Sequence, residues 1–163
     1  VVTHEQLASI TTPAVFLLGA PVFACRTLTF SSYGLAKPQG SQESRFVPSL
    51  GRAIAHEKRP VLDWRRDVAR AAGAALPAGY ELMRGAVELL VVFYRPRPRS
   101  WPRRRVFQTS APDADKLARA IGDALKGVVY ADDAQIVALL AFKAVGEPAR
   151  ADVLVRELAP EGH

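Results

Sequence analysis

Two short acidic stretches carry the residues best suited to chemistry. They are Pro112-Asp113-Ala114-Asp115-Lys116-Leu117 and, with Asp132 seventeen residues after Asp115, Asp132-Asp133-Ala134-Gln135-Ile136. Several carboxylates brought within a few ångströms repel and raise one another's pKa unless a cation neutralises them. Magnesium suits such a set, with manganese as a substitute: it takes oxygen ligands, keeps waters, and can activate one water while stabilising charge on a phosphate. The chemistry predicted is phosphodiester hydrolysis, with Asp113, Asp115, Asp132 and Asp133 around the metal. Arg119, four residues after Asp115 on a shared helical face, could hold a nonbridging phosphate oxygen, and Lys116 could contact the backbone. Taken singly, each piece has a plainer reading. Asp113 can be a helix cap, Asp132-Asp133 a turn before a strand, and Asp115 with Arg119 a surface ion pair.

The elements that must position these residues can be read from periodicity. A helix beginning near Pro112 buries Leu117, Ile121 and Ala124 on one face, leaves the acids on the other, and ends near Gly127. A turn after it could fold Asp132 and Asp133 back beside the first pair. Strands are expected at Arg26–Tyr33, Ala86–Tyr94, Gln135–Phe142 and Ala151–Leu158, with a short extended piece at Arg52–His56. A second helix starts at Pro60 and sets Val61, Trp64, Val68 and Ala72 on its core face, with Arg65, Arg66 and Arg70 mostly opposite. The fold class expected is α+β, a mixed sheet with helices packed on it in a single domain over residues 26–158. Residues 1–25 are expected to be a loosely packed extension, and 159–163 a short tail.

Charge placement points to a polyanionic partner. The chain of 163 residues is 49% apolar and 23% charged, enough for one compact core, with a net charge of +6 and a pI near 9.9. Six arginines, Arg95, Arg97, Arg99, Arg103, Arg104 and Arg105, fall within eleven residues after the best strand. They are interleaved with three prolines and Trp101, which forbid a helix and suit an exposed loop on a phosphate backbone. The Lys37-Pro38-Gln39-Gly40-Ser41-Gln42 loop adds Lys37 and exposed amides, but lacks the pattern of a nucleotide-binding loop. Cys25 is the only cysteine, so an internal disulfide and a cysteine-based zinc site are excluded, and the three histidines have no zinc spacing. The apolar run Pro13–Ala24 has no basic residue before it and is too short to span a bilayer, so a cytoplasmic protein with no membrane partner is expected.

The stretch Pro112–Val137, PDADKLARAIGDALKGVVYADDAQIV, resembles the RusA-type Holliday-junction endodeoxyribonucleases, whose pattern runs P-D-x-D-N-L-x-K, then D-A-L, then D-D-x-Q-[IV]. YGLAKPQGS (Tyr33–Ser41), DWRRDV (Asp63–Val68) and VVFYRPRP (Val91–Pro98) extend the likeness to about residues 27–157. It implies a homodimer that binds four-way DNA junctions and nicks them with magnesium. The catalytic acids carry over onto Asp113, Asp115 and Asp133, with Asp132 in support, and a basic position, taken as a DNA contact, carries over onto Lys143. The sequence departs at the family's Asn, here Lys116, and at its catalytic lysine, here Arg119. A guanidinium stabilises a phosphate but does not readily release a proton. The alternative is a junction-binding or regulatory protein whose catalysis these changes have impaired, and a general basic DNA-coating protein is a third reading.

Overall fold

The computed structural model describes residues 16–17, 20–21, 24–40, 43–47, 52–56 and 59–158. In chain order the strands are β1 (Phe16–Leu17), β2 (Ala20–Pro21), β3 (Ala24–Tyr33), β4 (Glu43–Val47), β5 (Arg52–His56), β6 (Val87–Arg95), β7 (Ile136–Val145) and β8 (Arg150–Leu158). The helices are α1 (Arg59–Ala75) and α2 (Ala114–Leu125). Most of the expected extension and the whole of the expected tail lie outside the described residues, as do Ser41 and Gln42 at the end of the loop that begins at Lys37.

Four strands form one mixed sheet in the order β3-β8-β6-β7, so the expected α+β class holds. β8 runs antiparallel to both β3 and β6, while β6 and β7 are parallel, with α2 as the crossover between them. β1 pairs with β2, and β4 with β5, as separate two-stranded units. β6 is buried from Val87 to Tyr94, which is why its sequence is a continuous apolar run rather than an alternation. Val87, Leu89, Val91 and Phe93 face the main core together with the helices, whereas Leu90, Val92 and Tyr94 join Leu154 on the other face.

Both helices present narrow apolar stripes to that core. α1 buries Val61, Trp64, Val68 and Ala72, the four residues its spacing predicted. Its basic face is largely engaged: Arg66 pairs with Asp63 at 3.5 Å, Arg70 with Asp67 at 3.2 Å, and Arg65 reaches across to Asp123 of α2 at 3.6 Å. α2 buries Leu117, Ala118, Ala120, Ile121, Ala124 and Leu125, leaving Asp115, Lys116 and Arg119 exposed. Pro148 and Gly146 lie between β7 and β8, and a Cβ on Gly146 would stand 2.6 Å from the Tyr94 ring, so that turn requires glycine.

A fastening of the fold lies at the other end of the sheet. The Glu157 carboxylate, 13% exposed, accepts from Arg26 Nε at 2.6 Å and from the Arg84 and Gly85 amides at 2.8 Å each. Arg26 first, and then those amides, hold its carboxyl down at about 2. A depressed pKa means stability that is present above the unfolded value near 4.5 and lost as pH falls towards 2. Glu157→Gln is therefore expected to cost about 2–3 kcal/mol in urea unfolding at pH 7, with the gap to the parent shrinking below pH 4.5. An equal gap at pH 7 and pH 3 would remove the carboxylate from this role.

Candidate active site

Asp113 is the residue before α2, with extended backbone angles, yet its carboxylate makes no cap hydrogen bond. It turns outward and accepts from Lys116 Nζ at 2.9 Å. That hydrogen bond, ahead of the more distant charge of Lys143, lowers the Asp113 pKa and raises that of Lys116. The capping alternative therefore does not describe Asp113. Asp115 and Arg119 are exposed on the same face of α2, and no ion pair joins them.

Three neighbours hold this end of α2 in place. Lys143 Nζ, from β7, donates to the carbonyls of Ser110 and Pro112 at 2.8 Å each. Lys143 thus braces the turn that presents Asp113. The Gln39 amide donates to Lys116 O at 3.0 Å, which brings the Lys37–Gly40 segment to the same end. Arg95 Nη1 donates to Ala111 O at 3.3 Å and anchors the root of the arginine loop there.

Within that loop the six arginines divide into two groups. Arg97 Nη1 donates to the carbonyls of Pro102 and Arg105 at 2.7 Å each, closing the loop on itself. Arg105 stacks on Trp101, with 3.9 Å from guanidinium to ring centroid, and donates to the Thr109 hydroxyl. Arg99, Arg103 and Arg104 are exposed. Arg95, Arg97 and Arg105 shape the loop that carries these three.

The second acidic pair is built separately. Asp132 caps a 3-10 turn, Asp133–Gln135, accepting from the Ala134 amide at 2.9 Å, while its own amide donates to Gln135 Oε1 at 2.8 Å. Gln135 Nε2 donates to the carbonyls of Met83 at 3.1 Å and Gly85 at 2.8 Å, fastening the turn to the approach to β6. Lys126, just after α2, donates to Asp132 Oδ2 at 2.8 Å and Asp133 Oδ1 at 3.1 Å. It leads the causes that bring Asp132 to about 2, ahead of the Ala134 amide. Gly127, at φ +74°, and the hydrogen bond its amide donates to Tyr130 O at 2.8 Å make the tight turn that returns the chain below Lys126. Lys126 was not marked by sequence reasoning, and Gln135 was marked only as a member of the second acidic stretch, without a role. Gln135 had a visible signal, standing three residues after the capping Asp132 as capping-box partners do.

The two pairs do not meet within one chain. Asp113 precedes α2 and Lys126, which carries the other pair, follows its last residue. Twelve helical residues span about 18 Å. Among the described residues no three His, Cys, Asp or Glu gather closely enough to hold a metal. The expected fold-back of Asp132-Asp133 beside Asp113 is thus corrected: β7 must start at the far end of α2 to run parallel with β6, and the acids at its start are carried there with it.

The donor chemistry still fits a hard cation. Asp132 and Asp133 already close two oxygens on an ammonium, and Asp113 one. Carboxylate oxygens are what magnesium and manganese take.

A family model described as "Endodeoxyribonuclease RusA" matches residues 36–156, which include all four acids, the arginine loop and both helices. The chain is also 31% identical over 88 residues to "Uncharacterized protein YqaN" of Bacillus subtilis (strain 168). That alignment covers 48% of this chain and 62% of the relative, so the chain spans less than two thirds of the protein it matches. No helix among the described residues is long and apolar enough to cross a membrane.

Proposed function

Because the chain belongs to the RusA family of endodeoxyribonucleases, we propose that it is a magnesium-dependent nuclease that nicks four-way DNA junctions as a homodimer, in the cytoplasm. The observation that carries this reading is the exposure of Asp113 and Asp115 at the same end of α2 as the arginine loop, so that acids able to hold a cation lie beside cations able to hold DNA. The spacing of the acids adds a requirement. Asp113 and Asp115 of one copy and Asp132 and Asp133 of the other would together hold an ion shared by both pairs, because about 18 Å of helix separates them in a single chain.

These acids would hold a divalent cation, magnesium or manganese, which would supply a lowered pKa for an attacking water and stabilisation of charge on the scissile phosphate. The chain's own groups do the rest. Arg119, one helical turn beyond Asp115, holds a nonbridging oxygen through its guanidinium and leaves protonation of the departing oxygen to solvent. Lys116 and Lys37 contact the backbone next to the cut, and Arg99, Arg103 and Arg104 hold an arm of the junction. Lys143, Arg95, Arg97 and Arg105 act by holding the surfaces that present these groups.

Incubating the pure protein with a synthetic four-way junction, with and without magnesium, tests the reading. Paired nicks that require the metal are expected. Tight, metal-independent binding without cleavage would instead support the impaired junction-binding protein, and equal affinity for linear and branched DNA at matched salt the general DNA-coating protein.

A further inference from the structure

We propose that Phe107 stacks on a base left unstacked at the branch point of the DNA, and that this contact gives the chain its preference for branched DNA over linear duplex. The inference rests on the nuclease reading and adds to it the group that senses structure. Arg99, Arg103 and Arg104 hold phosphates, which linear and branched DNA present alike, so the preference has to come from another kind of side chain.

Phe107 follows the six arginines and is 61% exposed. Among the described residues no guanidinium stacks on its ring. Trp101, the aromatic within the arginine loop, is half-buried, with Arg105 over its ring. Tyr33 is also exposed, but it ends β3, at the opposite edge of the sheet from β7. An open phenyl ring gains by leaving water, and the face of a base is a surface that takes it without regard to sequence.

The ring is carried on fixed backbone. Phe107 forms an antiparallel bridge with Ala144, near the end of β7. On either side of it the Val145 amide donates to Val106 O at 2.8 Å, and the Gln108 amide to Lys143 O at 2.9 Å. Gln108 is buried, and its Oε1 accepts from the Ser110 hydroxyl at 2.9 Å. Arg105, two residues before Phe107, donates to the Thr109 hydroxyl, two residues after it. Stacking therefore orders little beyond the ring itself, which keeps its entropic cost low.

Position identifies the partner as DNA. Phe107 stands two residues after Arg105 and six before Asp113. At most about 22 Å of chain separates it from that acid. Along the chain it thus lies between cations suited to phosphates and acids suited to a metal. An apolar wedge enters a base step by unstacking it, and that costs least where stacking is already broken. At a branch point the strands change partners and stacking is interrupted. In linear duplex the same ring has to open an intact step.

Equilibrium binding in calcium to a synthetic four-way junction, and to a linear duplex of matched length, tests the inference apart from cleavage. At about 0.15 M salt, Phe107→Ala is expected to lower junction affinity about 10-fold or more and duplex affinity less than about twofold, while Phe107→Trp keeps the parent preference. A fluorescent adenine analogue at the branch point should change its emission when the parent binds and not when Phe107→Ala binds. The exposure of the ring predicts unchanged thermal melting and unchanged sedimentation for the alanine variant. If Phe107→Ala keeps the parent preference, or loses affinity for both DNAs equally, the inference is overturned while the nuclease reading stands. A changed assembly state, as expected if another protein chain covers the ring, overturns it in the same way. A parent that binds both DNAs alike removes the junction preference of the nuclease reading, and the inference with it.

Discussion

Asp113→Asn and Asp133→Asn are each expected to lower metal-dependent nicking of a four-way junction by roughly 1000-fold or more, with junction affinity kept within about threefold. The size follows from the role assigned to the acids. Each substitution keeps the shape of the side chain and removes the charge that holds the cation, so the attacking water and the phosphate lose their main electrostatic support together. The fold has little reason to respond. The Asp113 carboxylate is exposed and, among the described residues, pairs with Lys116, while the turn that carries Asp133 is capped by Asp132 and fastened by Gln135. Asp115→Asn belongs with them, since its exposed carboxylate supports nothing else among the described residues. Single-turnover cleavage, run beside a binding titration in calcium, separates the lost chemistry from lost affinity. Unaltered cleavage by either variant would remove that acid from the mechanism.

Replacing Arg99, Arg103 and Arg104 together with alanine is expected to weaken junction binding roughly 100-fold near 0.15 M salt. The slope of log affinity against log salt should fall by about 2.7, since each phosphate no longer neutralised by an arginine accounts for about 0.9. All three are exposed, so the substitution removes charge without removing packing. Linear duplex should lose affinity by a similar factor, because groups that hold phosphates do not read branching. Arg97→Ala provides the contrast. Its guanidinium closes the loop on the carbonyls of Pro102 and Arg105, so the loop is expected to lose its shape and its sensitivity to protease should rise. A triple variant with an unchanged salt slope would place the DNA elsewhere.

Local patterning made much of this fold legible, because hydrophobic periodicity reports which face of an element is covered. Val61, Trp64, Val68 and Ala72 are buried as their spacing indicated, and β6 reads as a strand because it is apolar on both faces. β3 is recognisable from Arg26 onward and begins at Ala24. β4 escapes such a reading: Glu43-Ser44-Arg45 has the composition of a loop, and its strand character comes from pairing with β5. The site was legible in its residue types and not in its arrangement. Spacing along the chain shows that Asp132 and Asp133 follow a helix, but only the parallel pairing of β6 with β7 shows that they lie at its far end. The same applies to Lys143 and Arg97, whose charge suggested DNA while their hydrogen bonds to backbone carbonyls give them a bracing role. Lys126 had no local signal, since its partners come from a turn that only the fold brings beneath it.

The shared site is tested most directly by mixing two inactive variants. Asp113→Asn and Asp133→Asn, co-expressed so that copies pair at random, form mixed dimers in which one site carries both substitutions and the other carries neither. Half the dimers are mixed and each has one of two sites intact, so metal-dependent cleavage should return to about a quarter of the parent rate. If every site is instead built within one chain, the co-expressed pair stays as inactive as each variant alone, and that result contradicts the account.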